Sequence, residues 1–239
     1  MMPHRRRLSA AFAAAVLAGA CASAPPLARQ QCYNPDVQLA TLLQPLEALQ
    51  AKGCDPGIGA RESECERLRR EIARLAVVCP AHAPTLMANA VIAYDDKRPA
   101  DAQQFLDLIL SQPRSYPDAA ALRGQLAIEE GNVPFALRLL ADQLRLAPDH
   151  AGLHETHAAA LYVSGNLADA RSELTLAEAL GAPRWRIAYH LGLIEEASGQ
   201  RDEAMRYYTE AVAGNPAFQP AAARLRALRA TGAQPTPRP

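Results

Sequence analysis

The chain has 239 residues, with Lys+Arg 25 balanced by Asp+Glu 25, 49% hydrophobic residues and 5% aromatics. That balance is globular rather than disordered as a whole, and it holds no basic excess to displace counterions from a nucleic-acid backbone. Scarce aromatics argue against strand-built sandwiches and barrels, and abundant Ala and Leu favour helix.

Residues 1–20 carry Arg5, Arg6 and Arg7, then an apolar run from Leu8 to Ala20. A positive start, a short apolar stretch and small residues describe a secretory signal, and the run is short for a spanning helix. Leu17-Ala18-Gly19-Ala20-Cys21 resembles the lipobox of bacterial lipoproteins, with Ala18 where that family has Leu. The resemblance implies that Cys21 becomes the mature N-terminus and carries acyl chains such as palmitate. Ala22 after it implies the outer membrane facing the periplasm. Simple cleavage near Ala22-Ser23-Ala24 is the competing reading. Without the three arginines, 22 basic residues face 25 acidic ones. Residues 21–31 read as a lipid-anchored tether.

Residues 32–82 read as a helical hairpin. Leu39, Leu42, Leu43, Leu46 and Leu49 fall at helical spacing, with Asp36 as a candidate cap, Pro45 inside and Gly53 at the end. Leu68, Ile72, Leu75 and Ala76 mark a second helix, and Cys65 and Cys79 share its stripe. Cys65 and Cys79 are separated by about 21 Å along that helix, beyond the roughly 7 Å that a disulfide spans. In an antiparallel hairpin Cys54 comes near Cys65, and Cys32 near Cys79. The crossed pairing, Cys32–Cys65 with Cys54–Cys79, stays open. The intervals contain no close Cys pair of the kind that zinc sites use.

Beyond residue 82 a 34-residue period appears. Gly131, Gly165 and Gly199 keep it, as do Ala136, Ala170 and Ala204. Gly124 and Gly192, and Pro148 and Pro216, stand two periods apart. The register gives units 117–150, 151–184 and 185–218, preceded by a degenerate unit 83–116 with Lys97 in place of the glycine. Each reads as helix, Gly turn, helix, Pro turn. On these residues, and on Leu191, Tyr208 and Ala211, the chain resembles the tetratricopeptide repeat (TPR) family. His157-Ala158 replaces the family's Leu-Gly, and Arg123 and Gln143 stand where packing residues are usual. The resemblance implies an all-α, right-handed solenoid, closed by an amphipathic helix over 219–230 with Ala222, Leu225 and Leu228. Residues 231–239 read as a disordered tail.

No catalytic motif is visible. His154-Glu155-Thr156-His157 falls one residue short of H-E-x-x-H. A structural role for His150, His154 and His157 outweighs a metal-dependent hydrolase. Gly57-Ile58-Gly59 follows no strand and reads as a turn. No cofactor, metal, nucleic acid or small-molecule substrate is expected. By resemblance to TPR arrays, the first helix of each unit lines a concave face that binds a protein or extended peptide. Transfer by position gives Met87, Val91 and Tyr94; Gln125, Ile128 and Glu129; Glu155, Ala159 and Tyr162; Arg186, Tyr189 and Leu193. The expected function is a non-catalytic adaptor, lipid-anchored in the bacterial envelope and serving pilus, secretion or cell-wall machinery. A holdase for unfolded exported chains is the alternative.

Overall fold

The computed structural model describes residues 32–54 and 62–232. The signal segment, Cys21, the tether, the Gly57-Ile58-Gly59 turn and the last seven residues lie outside them.

Among the described residues there are eleven helices. The hairpin is α1 (Pro35–Lys52) and α2 (Glu64–Val78). Four pairs follow: α3 (Ala83–Asp95) with α4 (Pro99–Leu110), α5 (Pro117–Glu129) with α6 (Val133–Leu146), α7 (Ala151–Val163) with α8 (Leu167–Ala179), and α9 (Arg184–Ala197) with α10 (Arg201–Gly214). The last helix, α11 (Gln219–Gly232), runs two residues past the end expected from sequence.

Cys32 pairs with Cys79 (S–S 2.09 Å) and Cys54 with Cys65 (1.96 Å), the nested arrangement. Asp36 is not the cap of α1. Asn34 occupies that position, Pro35 opens the helix, and Asp36 reaches across to His82 Nε2 at 3.1 Å. Proline suits this opening because its missing N–H has no helical acceptor there. Ser63 caps α2 in a capping box with Glu66, satisfying two donors that a helix start leaves free.

The 34-residue period is visible in the backbone. Gly131, Gly165 and Gly199 take left-handed φ of 78°, 84° and 75°. Lys97 takes φ 59° at the same point of the α3–α4 turn, where a side chain costs about 1–2 kcal/mol. The pairs close tightly through small residues. A Cβ on Gly124 would lie 2.9 Å from Leu140, and one on Gly192 would lie 2.5 Å from the Tyr208 ring. Ala136, Ala170 and Ala204 are fully buried on the facing helices.

The two unit residues that departed from the family pattern are accommodated individually. Arg123 lays its guanidinium 4.7 Å over the Phe135 ring and donates to Asp107 at 3.0 Å. Its stem therefore packs while its charge is paired. Gln143 sits 3.5 Å from the Ser115 hydroxyl. On α11 Leu225 is buried and Leu228 packs half-buried beside it, as expected, while Ala221 rather than the half-buried Ala222 is the fully buried alanine.

Candidate functional site: the inner wall of the stack

The first helices of successive pairs form one row. Three side-chain bridges demonstrate it. The Tyr94 hydroxyl of α3 donates to Glu129 of α5 at 2.6 Å. Arg186 of α9 donates to Glu155 of α7 at 2.6 Å, and His190 Nε2 faces the same carboxylate at 3.4 Å. Arg224 of α11 donates to Glu196 of α9 at 3.2 Å. Polar residues expected to meet a ligand thus also lock one pair to the next.

This divides the sequence-derived residues. Glu155 is only 8% exposed and fully engaged, so it acts as a joint and offers a ligand little surface. Burial pushes its carboxyl up, but His190 and Arg186 outweigh that and hold it below the usual carboxylate range. Gln125 donates to Glu129 at 2.8 Å and completes the Tyr94 bridge. Burial, then the hydrogen bond to Glu129, push Tyr94 up to about 12. Met87, Tyr162, Arg186 and Tyr189 are half-buried, and Val91 is exposed. Ile128, Ala159 and Leu193 are half-buried.

Tyr162 and Tyr189 stand apart from the others. Their hydroxyls make no hydrogen bond to the described residues. Both rings lie near Arg224, and burial raises the Tyr189 hydroxyl above the ordinary phenol value. Phe218 holds Tyr189 edge-on at 4.9 Å and Trp185 at 5.1 Å, which keeps Trp185 in the packing. The C-terminal half of the wall therefore combines two preset aromatic faces, two free hydroxyls and a guanidinium. Flat amphipathic rings bury large area at low entropic cost, and their hydroxyls can serve backbone carbonyls.

Sequence reasoning missed Glu196 and Arg224. Arg224 stands one repeat length after His190 and plays the same bridging part. Extending the register onto α11 would have found it.

The histidines do not converge on one point. His150 caps α7, accepting from the Leu153 N–H at 3.1 Å, while its Nε2 faces Asp118 at 3.0 Å. His154 points one ring nitrogen at Glu173 (2.5 Å) and donates the other to the Pro148 carbonyl (2.8 Å). His157 faces the same Glu173 at 3.2 Å. Among the described residues no three His, Cys, Asp or Glu side chains are grouped to hold a metal ion.

No protein-family model matches the sequence, and no curated protein matches it. Solved structures do match. The TPR protein TTC0263 of Thermus thermophilus aligns over 80% of this chain and 99% of its own, with 18% identity and a TM-score of 0.65. PilF of Pseudomonas aeruginosa aligns over 83% and 90%, with 14% identity and a TM-score of 0.59. YrrB, described as a TPR protein with an unusual peptide-binding site, aligns over 82% and 99%, with 12% identity and a TM-score of 0.50. The fold is a TPR-type helical solenoid.

Proposed function

We propose that this chain is a non-catalytic adaptor that holds a protein or extended peptide segment along its inner wall. The observation that carries the reading is the unfilled pair Tyr162 and Tyr189 beside Arg224, on helices fixed by inter-repeat bridges. Rigid aromatic and Arg anchors on preorganised elements are what hot spots of protein interfaces use. The sequence adds the setting: acyl chains on Cys21 would hold the solenoid at the outer membrane, facing the periplasm. A single acyl chain binds membranes only marginally, whereas several give stable anchoring. Tethering then raises the local concentration of any captured partner in an envelope assembly.

Photo-crosslinking in the native envelope tests the groove. A crosslinker replacing Tyr162 or Tyr189 is expected to trap one discrete partner band, and one replacing exposed Leu146 on α6 is expected to trap none. A ladder of many products would favour the holdase, and equal trapping at Leu146 would sink the groove. The anchor is tested separately. Cys21→Ala is expected to move the protein from the membrane to the soluble fraction, and unchanged retention would refute acylation there.

A further inference from the structure

Around Tyr162 and Tyr189 the charges of the inner wall are matched within the protein. Glu155 faces Arg186 at 2.6 Å through one carboxylate oxygen and His190 at 3.4 Å through the other. Glu196 faces Arg224 at 3.2 Å through one oxygen and accepts the Tyr208 hydroxyl at 2.6 Å through the other. The other charged groups of α7, α9 and α11 turn to the layer of second helices. Glu195 pairs with Arg171 of α8, Arg184 with Glu178 and Glu210, and His154 and His157 share Glu173. Arg226 and Arg229 of α11 stand one period after Gly192 and Glu195, which face Tyr208 and Arg171 of that layer.

What this stretch of wall offers is hydrogen-bond donors. In each bridge the carboxylate is the covered member and the guanidinium the open one: the Glu155 and Glu196 side chains are 10% and 29% exposed, those of Arg186 and Arg224 41% and 51%. Among the described residues Arg224 spends only Nη1, and the Tyr162 and Tyr189 hydroxyls make no hydrogen bond. A peptide carbonyl accepts from such donors without bringing charge. A ligand carboxylate would meet guanidinium groups already neutralised by Glu155 and Glu196, and would lose its hydration for little net attraction. A ligand cation would find no open carboxylate and would meet Arg224 beside both rings. Ala159 and Leu193, both half-buried, add apolar surface between the donors.

We infer that the partner segment lying over Tyr162 and Tyr189 is extended and uncharged, with main-chain carbonyls on the two tyrosine hydroxyls and Arg224 and apolar side chains against Ala159 and Leu193. This rests on the inner-wall reading and names the chemistry of what that wall holds.

The test uses the full protein in native membranes, with the photo-crosslinker in place of Tyr189 and a second substitution at Ala159. Ala159→Glu and Ala159→Lys are each expected to cut the yield of the partner band about tenfold, because either charge would be buried against an uncharged segment. Ala159→Gln should cut it about twofold or less. Without a second substitution, the yield should change less than about twofold between about 50 mM and about 500 mM NaCl. Peptide mapping of the product should find no Asp, Glu, Lys or Arg beside the attachment point. Loss with Glu alone would make the partner acidic there, loss with Lys alone would make it basic, and loss with neither would show that charge is tolerated; each overturns the inference. A fall of about threefold or more at high salt, or a charged residue at the mapped point, overturns it too, and both readouts are independent of side-chain size at Ala159. Crosslinks that form but map to a charged stretch sink this inference and leave the inner wall standing. Absence of any crosslink at Tyr162 and Tyr189 sinks the inner-wall reading and this inference with it.

Discussion

The α1–α2 hairpin and the α9–α10 pair are both two-helix units, yet only the hairpin carries disulfides. The α9–α10 pair sits between α8 and α11 and buries apolar surface against both. Among the described residues the hairpin has α3 as its one neighbouring helix. Its core of Leu39, Leu46, Leu68, Ile72 and Leu75 gains Ala88 and Ile92 from α3, while Tyr33, Val37 and Val77 stay exposed. A repeat unit cannot bury its apolar face alone and relies on its neighbours. In the hairpin, crosslinks that restrict the unfolded chain add to a core that among the described residues only α3 extends.

The largest expected effect lies in the uncrosslinked pair. Tyr208 is fully buried against Gly192, and its hydroxyl donates to Glu196 at 2.6 Å. Tyr208→Ala should cost about 3–5 kcal/mol, read by urea denaturation, whereas Tyr208→Phe should cost only about 1 kcal/mol. Equal costs for the two variants would mean that the hydroxyl, not the packing, holds this pair.

Removing the crosslinks should act locally. The Cys32–Cys79 bridge closes a sequence separation of 47 and Cys54–Cys65 one of 11. Replacing each pair by Ser should cost roughly 4 and 3 kcal/mol on loop-entropy grounds. Hydrogen exchange should show the loss in α1 and α2, with α9 and α10 unchanged. Faster exchange spread evenly over the stack would erase the contrast between the two regions.

Acid should loosen the joint between α7 and α9. Because the folded pKa of Glu155 is lowered, its contribution is present above the unfolded carboxylate value and lost as pH falls through the folded one. Urea midpoints should therefore fall between about pH 5 and pH 3. Glu155→Gln should flatten that decline and show its cost at neutral pH. An unchanged acid limb in the variant would assign the decline to other carboxylates.

The smallest effect is a gain. Lys97→Gly removes a side chain from a left-handed turn and should stabilise α3–α4 by about 1 kcal/mol. Gly131→Ala at the equivalent turn should lose a similar amount. A neutral Lys97→Gly would mean that the Lys97 ammonium, 5.7 Å from the Tyr94 ring, offsets the strain.

The repeat frame was legible because its residues act locally. A glycine after a helix and a proline after the next report backbone needs that any neighbour must respect, so Gly131, Gly165, Gly199 and Pro148 could be read directly. Lys97 could not, because lysine gives no sign that its φ is positive. Helix length excluded one cysteine pairing, since 14 residues of rigid helix keep Cys65 from Cys79, but the choice between nested and crossed pairs was made by the structure. The inner wall was only partly readable. Family register placed Tyr162 and Tyr189 on it, but register alone does not tell a free hydroxyl from a bonded one such as Tyr94.

The amino-acid sequence by itself determined the helical pairs, their period and their glycine and proline turns, because these follow from propensity and from residues within one turn of each other. Tertiary structure alone decided which polar groups are consumed. Glu155 became a joint and Gln112 kept an unspent donor because partners 31 and more residues away arrived, or failed to arrive, within hydrogen-bond reach. Coulombic and hydrogen-bond energies depend on separations in space, and spacing along the chain fixes those only within a single rigid helix.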